Sequence, residues 1–153
     1  MARRIGRSSA AWDPAEDEAG ALDVRRAVST FVNHRHDAET YDDREGAALG
    51  RIHIERSFQG DLEGEATAEL LTATAENGAA VYLALDRISG RLEGREGSFV
   101  LQHRGVLSAE GAEIDGAIVP GSGTGELRGI TGHGSITVGD EGTHRLMLEY
   151  ELA

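Results

Sequence analysis

Gly-x-Leu-x-Gly occurs three times in this chain, as Gly60-Asp61-Leu62-Glu63-Gly64, Gly90-Arg91-Leu92-Glu93-Gly94 and Gly125-Glu126-Leu127-Arg128-Gly129. Gly97 and Gly132 extend the last two copies to G-x-L-x-G-x-x-G. Glycine weakens a flat strand, so its return at fixed offsets marks bends, bulges or close backbone contacts where a sheet curls. The repeat favours a barrel, and it specifies shape where it is silent on chemistry.

The rest of the chain has the two-residue period that strands require. Ile52, Ile54 and Phe58 share one face while Arg51, His53, Glu55 and Ser57 share the other. Val81, Leu83 and Leu85 alternate with Tyr82, Ala84 and Asp86, and Leu146, Leu148, Tyr150 and Leu152 alternate with Met147, Glu149 and Glu151. This spacing predicts strands near 28–35, 49–59, 63–75, 79–91, 97–108, 112–120, 133–139 and 143–152. Short Gly, Asn and Asp connections such as Asn77-Gly78 and Glu110-Gly111 read as hairpin turns. The fold class is therefore all-β: a single eight-stranded antiparallel up-and-down barrel over residues 27–153, with a two-sheet sandwich as the alternative. Residues 1–26 have a different texture and form a short N-terminal arm, either disordered or carrying a helix that starts at Asp13-Pro14-Ala15-Glu16.

Composition closes several function classes. The 153 residues suit one domain with one core and contain no cysteine, which excludes thiolate nucleophiles, Cys-ligated zinc and iron–sulfur clusters. All 15 basic residues are arginine, so a Walker A loop and a lysine Schiff base are also excluded. The net charge is −12, and the 127 residues after the arm carry ten arginines against 22 acids. Such a surface repels nucleic-acid phosphate and anionic lipid, so neither nucleic acid nor membrane is an expected partner. No apolar run reaches transmembrane length and none suits an export signal, which leads to the expectation of a cytoplasmic protein.

The stretch from Val119 through Gly121-Ser122-Gly123-Thr124-Gly125 to Gly132-His133-Gly134-Ser135-Ile136 resembles the glycine-rich segment of the allene oxide cyclase and dirigent barrel superfamily. With Phe58-Gln59-Gly60-Asp61-Leu62-Glu63-Gly64 and the Gly97 to Gly105 segment, the region from Phe31 to Leu152 is similar to a bacterial family of small, uncharacterised barrels. The resemblance implies an eight-stranded barrel of the allene oxide cyclase kind, oligomeric as a dimer or trimer, with an apolar cavity that steers a reactive small molecule. The plant cyclase's acid, asparagine and cysteine set does not align here, so its activity is not carried over.

Candidate chemistry is sparse. The glycines at 121, 123 and 125 precede strand period and no helix, so they read as a turn and not as a dinucleotide site. His34 and His36, with Asp37 or Glu39, have the start of a metal site but no evident third and fourth ligand, so no metal is expected. No cofactor is expected either. His103 alternates with Phe99 and Leu101, which makes it a candidate acid or base, or a core histidine satisfied by a neighbour. Glu69 shares a face with Arg51, His53 and Glu55 if Ile52 opposes Leu70; that face is an outer wall or a polar patch in the lumen. Asp86 beside Arg87 has the same ambiguity. The catalytic candidates are thus His103, Glu69 and Asp86, and the ligand-lining candidates Tyr82, Phe99, Leu101 and His103. Three functions compete: a barrel holding a small apolar molecule in its lumen, a cyclase or isomerase using lumen acid and base groups, and a ligand-free structural or oligomer-forming module.

Overall fold

A computed structural model describes residues 23–139 and 141–152 of the chain. The helix start expected at Asp13-Pro14 and most of the 1–26 arm lie outside the described residues. Eight strands close into one antiparallel barrel in chain order: β1 (Arg25–Asp42), β2 (Ala47–Gly60), β3 (Leu62–Ala75), β4 (Ala80–Leu92), β5 (Arg95–Ser108), β6 (Gly111–Ile118), β7 (Thr131–Val138) and β8 (His144–Glu151). Each strand pairs with the next, and β8 returns to β1. Closure removes the unpaired edges a sandwich would leave, and the up-and-down barrel is the fold. Among the described residues no helix is long and apolar enough to cross a membrane.

The three repeats explain one end of the barrel. Each delivers its leucine to the same place: Leu62, Leu92 and Leu127 are buried together with Phe58, Phe99, Leu101, Ile130, Leu148 and Tyr150. A three-residue 3-10 turn, Gly125–Leu127, in the long β6–β7 connection carries Leu127 inward. The flanking glycines permit the strands to approach. Gly64 and Gly90 face each other across β3 and β4, and a Cβ on Gly64 would stand 2.1 Å from the Ser89 carbonyl oxygen. No side chain fits there without separating the strands.

The opposite end is open in texture. Ile52, Thr72, Tyr82 and Ile114 occupy inward register positions there and are only half buried, Ile52 and Tyr82 packing on a second buried cluster of Ile54, Ala68, Leu70 and Ala84. Between the ends, β4 resolves the parity that its sequence left undecided. Tyr82, Ala84 and Asp86 point inward, while Leu83 and Leu85 stand outside with 54% and 57% of their surface exposed.

β1 runs well past the 28–35 expected for it. Its second half has no alternating apolar pattern, yet it pairs with β2 as far as Asp42 opposite Leu49. A bulge between Asn33 and Arg35 leaves His34 as the extra residue, and beyond Phe31 the strand has no pairing with β8. Main-chain bonds to β2 hold this segment, assisted by Arg51, which bonds Glu39 at 2.9 Å and lies over the Tyr41 ring. Burial has no part in it, so the apolar period carries no trace of it.

Candidate functional site

Above the closed-end core the lumen turns from apolar to charged. Arg56 of β2, Asp86 of β4 and His103 of β5 are all buried, and Tyr82 of β4 links them to the open end. The Tyr82 hydroxyl lies 3.0 Å from His103 Nδ1, and His103 Nε2 lies 3.2 Å from Asp86 Oδ2. A carboxylate accepts, so Nε2–H donates to Asp86 and a neutral imidazole accepts the Tyr82 proton at Nδ1. Small residues make room for this chain of contacts. Ala84 stands opposite His103, and Gly105 stands opposite Tyr82, where a Cβ would come within 2.1 Å of the phenol ring.

Arg56 closes the cluster without completing it. Its Nη1 is 3.6 Å from Asp86 Oδ2, beyond hydrogen-bond range, and its guanidinium lies over the Phe31 ring at 4.8 Å. Arg56 Nε and Asp86 Oδ1 are buried with no hydrogen-bond partner. Asn33 Oδ1, on β1 directly opposite Arg56, is likewise buried without a partner, so one spare donor and two spare acceptors remain in the same belt. Burial pushes the Tyr82 phenol up to about 12, against the pull of Arg56 and with the help of Asp86. Tyr82 thus stays a neutral donor at physiological pH, and the hydrogen bonds run inward from Tyr82 through His103 to Asp86, an arrangement that takes a proton in from the open end.

The remaining expected residues are distributed more widely. Phe99 and Leu101 point inward but belong to the closed-end core. Glu69 is on the outside of the wall, where its carboxylate meets His53 Nδ1 at 2.5 Å, and Glu55 takes the other ring nitrogen at 3.0 Å. The pairing of Ile52 with Leu70 that puts Glu69 beside His53 is the expected one. His34 bonds the Ser57 hydroxyl at 2.6 Å, and among the described residues no three His, Cys, Asp or Glu side chains gather as metal ligands would. Arg56 was missed, although its position between Ile54 and Phe58 on the apolar parity of β2 was a readable signal. Outside the same stretch of wall, Leu71, Leu83 and Leu85 with Arg51, Glu69 and Gln102 line a groove of about 440 Å³.

The sequence between residues 27 and 150 matches the model of a family described as "Protein of unknown function (DUF3224)". The chain belongs to the DUF3224 family. A crystal structure of a DUF3224 protein of unknown function from Shewanella oneidensis MR-1 is similar to it at 32% identity, with a TM-score of 0.77. The match covers 85% of this chain and 98% of the Shewanella chain. No curated protein matches the chain. The DUF3224 assignment agrees with the expected family of barrels without an assigned activity, and the activity has to be argued from the belt.

Proposed function

We propose that this DUF3224 barrel binds a small, largely apolar molecule through its open end, with a hydrogen-bonding head group that reaches the belt at Tyr82, Arg56 and Asp86. The observation that carries the reading is the unspent hydrogen-bonding capacity of the buried belt, Arg56 Nε and Asp86 Oδ1. A buried ion pair is often matched or surpassed in stability by apolar side chains of similar size, so a purely structural barrel gains nothing from one. The half-buried Ile52, Thr72 and Ile114, with the Leu70 and Ala84 cluster beneath them, supply the apolar surround.

The test is native mass spectrometry of the protein purified from its own host, followed by denaturing extraction. A stoichiometric small-molecule adduct is expected, and an adduct-free spectrum overturns the reading. The Arg56→Met/Asp86→Asn double variant, which keeps an acceptor for His103 Nε2–H, is expected to keep its fold while losing the adduct. A double variant that fails to fold assigns the belt to structure instead.

The Tyr82–His103–Asp86 chain favours a second reading, a cyclase or isomerase in which the Tyr82 oxygen takes a proton from the bound molecule as its own proton passes to His103 Nδ1, Asp86 balances the imidazolium, and the reverse transfer returns a proton to another atom of the same molecule. In that case His103→Ala accumulates an unconverted form of the molecule, whereas simple binding leaves the adduct chemically unchanged.

A further inference from the structure

We infer that the head group taken up by the belt is uncharged and carries two hydrogen-bond donors beside one acceptor, as a primary carboxamide does, a conclusion that rests on the lumen-ligand reading above and narrows it to one chemical class.

Charge is the first constraint. Above the closed-end core, the charged and titratable side chains on the inward parity are Arg56 of β2, Tyr82 and Asp86 of β4, His103 of β5 and His144 of β8. His36 of β1 has the same parity further out, where it is exposed, and β3, β6 and β7 add none among the described residues. Arg56 and Asp86 cancel. His103 is neutral in its two hydrogen bonds, and burial keeps Tyr82 and His144 uncharged at neutral pH. An anion or a cation would therefore leave water for a buried site that has no net charge of the opposite sign, and would meet Asp86 or Arg56 as a like charge.

Hydrogen-bonding valence is the second. Arg56 Nε has a proton to donate, while Asp86 Oδ1 and Asn33 Oδ1 have lone pairs to fill. The three belong to one neighbourhood: Asn33 stands directly opposite Arg56, and Arg56 reaches to 3.6 Å from Asp86. Ala66, paired with Arg56, and Ala68, paired with Asp86, keep the wall between them free of long side chains. A carboxamide oxygen accepts from Nε, and its two N–H groups donate to the two oxygens. A carboxylate brings no donor and an ammonium no acceptor, so each leaves part of the belt unpaired. Towards the open end, Ala38, Ala48, Ile52 and Thr72 line a hollow of about 160 Å³, which suits a short aliphatic tail.

Calorimetric titration at neutral pH with octanamide, octanoate and octylamine, whose tails are alike, tests this. Octanamide is expected to bind the parent chain roughly tenfold more tightly than either charged probe. Single changes of charge move the preference. Asp86→Asn leaves Arg56 uncompensated while keeping an acceptor for His103, and is expected to bind octanoate best; Asn33→Asp is expected to bind octylamine best. Circular dichroism checks the fold of each variant, and the comparison of probes on the parent chain stands without them. Octanoate or octylamine binding the parent as tightly as the amide overturns the head-group inference and leaves the lumen-ligand reading intact. Binding of none of the three overturns it as well, and the co-purified adduct then judges that reading separately. An amide preference unchanged in both folded variants places the selection away from the belt and likewise overturns the inference.

Discussion

Phe31 has two basic side chains near one ring: the Arg56 guanidinium at 4.8 Å and the His144 imidazole, stacked at 5.0 Å. Burial, reinforced by Arg56, holds the His144 pKa below 6.5, while Glu69 first and Glu55 second hold that of His53 above it. The two contributions to stability run in opposite directions with pH. His144 has a depressed pKa, so the stability it contributes is lost as pH falls below 6.5 towards its folded value. His53 has a raised pKa, so its contribution is complete below 6.5 and disappears as pH rises through its folded value. Proton NMR titration is expected to place His144 below 6.5 and His53 above it, and coincident midpoints would refute both environments. Parity was enough to put Tyr82 with Asp86 on one face of β4, and His103 with Phe99 and Leu101 on one face of β5. It could not say which side was the lumen: β4 offers an aliphatic face and a mixed face, and the aliphatic one is outside. Charge grouping put Glu69 with His53 and Glu55 and left outer wall or lumen open; the structure places the group on the outer wall, away from the belt.

The seams between strands differ in length. β3 and β4 pair from Leu62 opposite Leu92 to Thr74 opposite Ala80, whereas β6 and β7 share only Asp115 with Ser135, Gly116 with Gly134 and Ala117 with His133. Local opening should follow this order, because backbone bonds backed by few neighbours break first. Hydrogen exchange is expected to show the amides of β7 on the β6 side, and those of β1 beyond Asn33, exchanging well before the β3–β4 ladder. Uniform protection around the barrel would contradict this. Strand number, order and antiparallel sense were legible in the sequence, since the hairpin glycines and the two-residue period act together. The far half of β1 was not, because His34 to Tyr41 are held by main-chain pairing with β2 and by surface ion pairs, neither of which requires a buried face.

Seen whole, the barrel is apolar and filled at one end, charged at its waist and loosely lined at the other end. Truncation should therefore have unequal effects. Leu127→Ala, which empties a fully buried site at the closed end, is expected to lower stability by about 2–5 kcal/mol. Ile114→Ala, at the half-exposed open end, should lower it by about 1 kcal/mol because much less apolar area leaves contact. Urea denaturation of both variants measures the contrast, and equal losses would show that stability is not concentrated where the leucines of the three repeats converge. That convergence makes the molecule a cup and not a tube. A molecule bound at the belt as proposed would enter and leave over one rim, its successor waiting for that rim to clear, with no passage from one end to the other.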